Sequence, residues 1–491
     1  MTRQILVNAL QRRTEQLRAL DRKYWRVIGE GPIGDKAQEL RDKTWAIQAA
    51  GFEPIPRTVL SMGFFENFRR RTGIEGALKR RASKEEIEDR IWDTRFSSQQ
   101  LETISRLSKT FETPMVVRSS AFGDSRGTGI YESIFYNGNG SLENKIKYVL
   151  LSEFSEKAIE YRRAKGIEPG MAVIIEPVFG QWHEPTLLDS EEKLFGPLYS
   201  GVAHSNSANG RATGLVCAGL PLLAVQGKGI PLTDKSMSIA HAIEDNDRRL
   251  EEMIRRDEIC PAVATLYNGM FFEEKYDVAL ENGVPKNNTI MKNLKWLFDK
   301  LRKLEQLLGR PQYVEWAVLE KRAGQQVASL QIADLNIETD FYELTDSEKV
   351  FIRSEYVVGK AKKECGMVVE VPPNLDGLGD LRRFNAEHRD YLVIYPGNLT
   401  SVTGGMDFSH ISNAAVLAER KYSLRDRRPE DHFGGLLQQT GKTLLVIRRA
   451  DTLMEKLGNP VKNERYPTLD IYPVKTTTLG NPRINKAIVK I

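Results

Sequence analysis

Three apolar runs in this chain each carry a charged or amide side chain where burial is expected, and that combination restricts the fold more than any other feature. Met115, Val116 and Val117 lead straight into Arg118, Ser119 and Ser120. A second run, Met171 to Ile175, closes on Glu176, and a third places Glu315 between Val314 and Trp316, with Leu330-Gln331 following beyond a charged spacer. A buried charge without a partner is costly, so a fold that buries these strands has to bring opposite charges together. For Arg118 the partner is either the oxygens of a phosphate, which a guanidinium grips bidentately, or a core carboxylate in a buried salt bridge. Cation, carboxylate and a pair of oxygen ligands are also the parts that position a polyphosphate and a divalent ion.

A chain of 491 residues is too long for one core. The order of motifs divides it into a helix-rich stretch 1–113, a strand-rich stretch 114–340 and an α/β unit 341–491. Helical spacing of Leu6, Leu10, Leu17 and Leu20 predicts an amphipathic helix over residues 3–26, ended by the Gly29–Gly34 loop. Strands are expected around Val117, Ile174, Pro197–Val202, Thr213–Ala218 and Val314, and the Glu315 and Gln331 strands read as a hairpin. In the last unit Met367–Val371, Tyr391–Tyr395 and Leu444–Ile447 read as strands. The proline-bearing tail after Gly458 reads as an extended cover over a surface.

Composition removes several function classes. A formal charge of +5, spread over 71 basic and 66 acidic residues, gives no case for nucleic acid, and Arg69–Arg71 and Lys79–Arg81 read as solvated helix faces. No apolar run is long enough for a membrane span, and no secretory leader is legible at the N-terminus. The three cysteines, Cys217, Cys260 and Cys365, lack zinc-type spacing and fit free thiols in a reducing compartment, so a cytoplasmic location is the expectation.

Further stretches agree with the three strands. Gly34-Asp35-Lys36-Ala37 with Leu40 opens a helix; Ile55 to Leu60 is followed by Phe64, Phe65 and Phe68; Ser155 to Ala158 precedes Tyr161-Arg162. Taken in order from Gly34 to Gln331, these motifs resemble the nucleotide-binding domain shared by pyruvate phosphate dikinase and phosphoenolpyruvate synthase, a variant of the ATP-grasp fold. The resemblance implies a two-lobed α/β (α+β) domain that takes ATP and Mg²⁺. It implies phosphate contacts from Lys36, Arg118 and Ser119, with Glu132 beyond the glycine-bearing loop 121–129. It implies an adenine-contacting segment from Glu176 to Val178, and a metal pair in Glu315 and Gln331. Helix N-termini favour anions, which suits a lysine at position 36. Alternation along the strand buries Val314 and Trp316 on one face and turns Glu315 to the other. Arg162, at a helix end, reads as structural. The chain departs from the family pattern at three points. Asp35 replaces a second glycine, Tyr313 stands where an acid precedes the glutamate, and Ile332-Ala333-Asp334 replaces the arginine after leucine-glutamine, which makes Asp334 a substitute oxygen donor to consider.

The same resemblance implies a histidine that carries phosphate. Of six histidines, His410 follows Gly404-Gly405 and His432 precedes Gly434-Gly435, and each holds half of the family's carrier signature. Residues 391–447 also look like the tails of uncharacterised proteins that join such an ATP domain to a different C-terminal unit. A phosphoenolpyruvate-binding barrel takes about 250 residues, so a complete synthase is not expected. Three functions remain: a phosphotransferase acting on a histidine or on an unidentified small-molecule or protein acceptor; a regulatory, partner-dependent nucleotide-binding protein; and a relative that has lost ATP. A homo-oligomer and a separate partner protein both stay open.

Overall fold

A computed structural model describes residues 14–80, 82–111, 114–124, 130–136, 138, 140–183, 194–197, 199–205, 212–218, 230–233, 264–267, 270–273, 295–321, 324–334, 352–354, 356–358, 362–372, 377–395, 408–420, 443–447, 457, 459–481 and 486–490. It is a mixed α+β structure. The first sheet holds five strands, β1 (Trp25–Ile28), β2 (Arg57–Leu60), β3 (Met115–Ala121), β4 (Ser133–Tyr136) and β5 (Met171–Pro177), in the order β1-β2-β5-β3-β4. β1 and β2 run parallel; every other neighbour is antiparallel. β5 is apolar on both faces, and both are covered. Ala172 and Ile174 join one core cluster, Met171, Val173 and Ile175 the other. A line drawn at residue 113 therefore runs through this sheet, because β1 and β2 pair with strands from beyond it.

The second sheet is antiparallel throughout: β6 (Tyr199–His204), β7 (Thr213–Ala218), β8 (Ile230–Thr233), β9 (Gln312–Lys321) and β10 (Gly324–Asp334), in the order β8-β7-β6-β9-β10. β9 and β10 form the expected hairpin across residues 321–324. One core cluster joins the two sheets. Val59 and Ile174 from the first and Val314, Trp316 and Ile332 from the second pack with helices α1 (Asp35–Ala49) and α4 (Lys295–Leu308). A bridge between Glu53 and Ala328 and a hydrogen bond from Glu53 N to Val327 O fasten the edge of this joint.

The amphipathic helix expected over 3–26 is helical over 14–24 and gives way to β1 at Trp25. There the indole Nε1 donates to Thr44 Oγ1 of α1 at 2.9 Å, so tertiary packing overrides the helical period. Helix α2 (Met62–Thr72) and the helix Leu142–Leu151 cover the outer face of the first sheet, and α3 (Glu156–Lys165) joins the same core cluster through Ala158 and Tyr161. The arginines of α2 are matched locally: Arg69 pairs with Glu153 at 2.7 Å and Arg70 with Glu66 at 3.3 Å.

The C-terminal unit is built on a seven-stranded sheet. Its centre is four parallel strands, β11 (Val368–Glu370), β12 (Leu392–Tyr395), β13 (Val416–Arg420) and β14 (Thr443–Ile447). Helices α5 (Leu378–Glu387) and α6 (Phe408–Ile411) lie in the crossovers from β11 to β12 and from β12 to β13, which parallel strands require, and the connection from β13 to β14 lies outside the described residues. The tail is not a surface cover. Tyr466–Tyr472 pairs antiparallel with β11, and Thr476–Asn481 and Lys486–Lys490 form a second, four-stranded sheet with Lys362–Cys365 and Ile352–Ser354. Pro460 and Pro473 fall outside the strands and Pro467 at the second residue of one, which a ladder tolerates, while Pro482 lies outside the described residues.

Candidate functional site

Arg118 lies where the two sheets meet. It sits on β3, 9% exposed, on the face that β5 shares with Ile174 and Glu176. Nη1 donates to Glu176 Oε1 at 3.0 Å and to the Leu330 carbonyl at 3.1 Å; Nη2 donates to Gln331 Oε1 at 2.6 Å and lies 3.5 Å from Glu315 Oε2. One guanidinium thus joins the carboxylate of the first sheet to both candidate metal ligands of the second. Burial opposes its charge, but Glu176 and Glu315 more than offset that and hold its pKa above the ordinary arginine value. Of the two partners open to Arg118, the carboxylates hold it in this structure.

Glu315 and Gln331 are direct partners across the β9–β10 ladder, and both are buried. Val314 and Trp316, fully buried, point into the opposite core. Tyr313, which stands at the acid position, donates its hydroxyl to Glu315 Oε1 at 3.2 Å. Burial, with Glu315 adding to it, pushes that phenol well above its usual range, so it remains a donor at neutral pH. Asp334 is turned away from this pair. Lys43 Nζ lies 2.7 Å from it, Arg310 2.8 Å, and Gln312 Nε2 donates at 2.9 Å. Burial would raise its pKa, but Lys43 and Gln312 outweigh that and keep it ionised. It is the anchor of α1 on the hairpin rather than a spare oxygen ligand.

Glu176 is 3% exposed and is held from both sides, by Arg118 and by Arg57, whose Nε donates to Oε2 at 2.6 Å. The two arginines outweigh burial and hold its carboxyl below the usual range. Val178 N donates to Pro114 O at 2.8 Å. The side chain of Glu176 and the Val178 amide are therefore committed within the protein, and neither is turned to a ligand here. Arg57, read in the sequence merely as part of a strand, was missed as a site residue. A charged residue inside Ile55 to Leu60 was the available signal, the same one that singles out Arg118.

Further along the same strand, the N-terminus of α1 abuts β3. Gly34 adopts φ +76°, and a Cβ there would lie 1.8 Å from Ser120 O, so no other residue fits. That approach lets Ser120 Oγ accept from Ala37 N at 2.9 Å. Lys36, 8% exposed, lies 3.1 Å from Asp124 Oδ2, which also accepts from Ser119 Oγ at 3.0 Å. Asp124 Oδ1 is buried with no hydrogen-bond partner among the described residues. Asp35 Oδ2 accepts from Gly123 N at 2.8 Å, so the carboxylate in the glycine position caps the start of the 121–129 loop. Tyr161 donates to Gly123 O at 2.9 Å, and Arg162 to Glu153 O at 2.6 Å, the structural role read for it. Glu132 stands on the far side of the loop, half-buried, its N–H on Ser152 Oγ at 3.2 Å. Residues 125–129 lie outside the described ones.

The structure thus brings together Arg118, Glu176, Glu315 and Gln331, and links Lys36 to the same strand through Asp124 and Ser119. It does not bring His410 to them as an accessible group. His410 sits in α6, 4% exposed, beside a network in which Tyr391 donates to Asn385 Oδ1 at 2.9 Å and Asn385 donates to Ser412 Oγ at 2.7 Å. His432 lies outside the described residues. Among the described residues no three His, Cys, Asp or Glu side chains gather as a metal cluster, and no helix is long and apolar enough to cross a membrane. An oxygen pair without further protein ligands suits Mg²⁺, which shares its coordination with phosphates and water.

Comparison with curated proteins finds no match. The family model of the pyruvate phosphate dikinase AMP/ATP-binding domain matches residues 43–339, from α1 to just past β10 and so through both sheets. With more than half of its length inside that match, the chain belongs to the pyruvate phosphate dikinase AMP/ATP-binding family.

Proposed function

We propose that this chain is an ATP-dependent phosphotransferase that binds Mg-ATP between the two sheets and passes a phosphoryl group to a histidine or to another acceptor. The observation that carries this reading is the Arg118 junction, where one buried cation touches Glu176, Glu315 and Gln331 together. In it, Lys36 and Arg118 take the phosphate oxygens, and Ser119 and the start of the 121–129 loop line their path. Both cations hold carboxylates in the structure, Lys36 with Asp124 and Arg118 with Glu176 and Glu315; phosphate would take the place of Asp124 on Lys36 and of Glu315 on Arg118, with Glu315 passing to Mg²⁺ and Glu176 staying on Arg118. Glu315 and Gln331 would hold Mg²⁺, which neutralises phosphate charge and orients the transferring group. The main chain from Glu176 to Val178 would lie at the adenine edge, with the Glu176 side chain as a brace for Arg118. Localisation in the cytoplasm belongs to the same proposal.

Three features favour a second reading, a nucleotide-binding regulator without its own transfer cycle. His410 is enclosed by the fold, and Tyr313 and Ile332 stand where the family pattern has an acid and an arginine. Incubation with γ-labelled and, separately, β-labelled ATP discriminates between them. Acid-labile, base-stable label on the protein is the expected result for a histidine carrier, and its transfer from protein to an added acceptor fraction completes the cycle. ATP binding without covalent label, and without consumption of ATP, would leave the regulator. Mg-ATP raises the melting temperature under both readings, and Lys36→Ala or Arg118→Ala abolishes the shift. A parent protein whose melting temperature ignores Mg-ATP would reject both.

A further inference from the structure

The β9–β10 ladder slips by one residue at the place where the oxygen pair stands. Glu315 faces Gln331 but Trp316 faces Ser329, which leaves Leu330 as an extra residue on β10. Such a bulge re-aims the side chains beside it and frees backbone groups from the ladder. The Leu330 carbonyl, on this edge strand, is taken up by two arginines from the first sheet, Arg118 Nη1 at 3.1 Å and Arg57 Nη2 at 3.2 Å. Arg57 Nη2 also reaches Ser329 O at 3.4 Å, so both carbonyls ahead of Gln331 are gripped. The rest of Arg57 is equally committed. Nε is on Glu176, Nη1 donates to Ile55 O at 3.2 Å, and the guanidinium lies 5.4 Å from the Trp25 ring centroid. At 3% exposure it has no access to bulk water. A guanidinium can make these bonds in several directions at once; an ammonium cannot.

We infer that Arg57 is a positioning residue of the nucleotide site. It pins the Leu330 bulge and the far oxygen of Glu176, and so sets Gln331 beside Glu315 with Arg118 fixed between the sheets. The inference rests on the Mg-ATP reading above and adds a residue to it. The physical need for a pin follows from sheet geometry: a ladder that kept Ser329 opposite Trp316 without the bulge would set Leu330 opposite Glu315 and turn Gln331 to the opposite face, since side chains alternate along a strand. Backbone groups released by a bulge need partners once buried. Arg57 acts through Glu176 and the Ser329 and Leu330 carbonyls, and its partners among the described residues do not include Glu315 or Gln331.

The test measures affinity for the β,γ-imido analogue of ATP with EDTA and with Mn²⁺, and free Mn²⁺ by electron paramagnetic resonance. Arg57→Lys keeps a cation beside Glu176 and loses the forked grip on the bulge. Its metal-dependent gain in affinity is expected to fall about tenfold or more, the size typical of groups that orient metal ligands. Affinity in EDTA falls by less, about threefold at most. An unchanged metal-dependent gain overturns the inference, and so does a parallel loss with and without metal, which is what a purely structural residue would give. Should Arg57→Lys fail to fold by circular dichroism, the double variant R57Q/E176Q removes both charges as a pair and is read by the same two outcomes. A parent protein that binds no nucleotide rejects the Mg-ATP reading and this inference together; a parent that binds while Arg57→Lys behaves like it rejects the inference alone.

Discussion

Lys36 and Asp124 show how a site can hold its own counter-ion. The pair is buried, with Asp124 1% exposed and taking Lys36, Ser119 and the Ala121 N–H on a single oxygen. Removing one partner of a buried pair costs about 3–5 kcal/mol because the other charge is left bare. Asp124→Ala should therefore destabilise the protein without nucleotide by about that amount. Phosphate would restore a partner to Lys36, so the gain in urea midpoint on adding Mg-ATP should be larger in the variant than in the parent. An equal gain in both would mean that Lys36 does not meet the nucleotide. Cys365 makes the opposite case, a group built to stay inert. Burial pushes its thiol up to about 12, with Thr476 opposing less strongly, so almost no thiolate forms near neutrality. Iodoacetamide at pH 8 should leave Cys365 unmodified until urea unfolds the chain, as read by mass spectrometry. Residues of this kind were partly legible beforehand. Arg118 and Glu315 stood out because apolar neighbours flank a charge, and Lys36 because it opens a helix. Arg57 stands between Pro56 and Thr58, so its burial carries a weaker local signal than that of Glu315 between Val314 and Trp316. Glu176 was visible as a buried carboxylate, but which partner it takes depends on Arg57 and Arg118, on strands far from it in the chain.

Elements place these residues through close approaches that the sequence signals only by glycine. The start of α1 reaches β3 because Gly34 has no Cβ, and any side chain there would collide with the Ser120 carbonyl. Gly34→Ala is expected to cost more than about 2 kcal/mol, since it adds a backbone clash to a positive φ. It should also shift Lys36 from Asp124, so nucleotide-induced stabilisation should shrink along with the urea midpoint. A variant with the parent's midpoint and response would mean that α1 can move away from β3 freely. Strands with two covered faces, such as β5, and the β9–β10 hairpin were readable from local pattern, because apolar continuity and spacing are local properties. The bulge at Leu330 was not, since a one-residue slip leaves the order of apolar and polar residues almost unchanged. The tail was misread for a related reason. Its strands find their partners far away, Asp470 opposite Glu370 and Leu479 opposite Lys362, and prolines near them look like loop signals until those partners are known.

At the scale of the molecule, the described apolar clusters fall into two sets that do not mix. Two clusters draw on residues 24–332 and two on residues 365–489. Among the described residues, α6 packs on α3 between the two sets, and the exposed side chains of Arg382 and Glu156 pair beside that contact. An exposed ion pair contributes about 1 kcal/mol or less, so the two sets should melt as separate transitions in a calorimeter, the first alone moving with Mg-ATP. His204 supplies an independent marker for that first transition. It lies in β6 beside the Tyr313 ring, and burial depresses its pKa from 6.5 to about 4. The depressed value means that the unfolded chain takes up a proton first as the pH falls. The contribution of His204 is thus intact above pH 6.5 and is lost progressively between pH 6.5 and about 4. Near pH 5 the loss amounts to about 2 kcal/mol, or several degrees in the melting temperature. Paired carboxylates such as Glu176, held below the usual range, act at lower pH still and leave this window to the imidazole. Between pH 7.5 and 5 the transition that responds to Mg-ATP should therefore drop by more than the other. His204→Gln should remove most of the difference. A single transition carrying both responses would show instead that the C-terminal unit and the nucleotide-binding sheets fold as one.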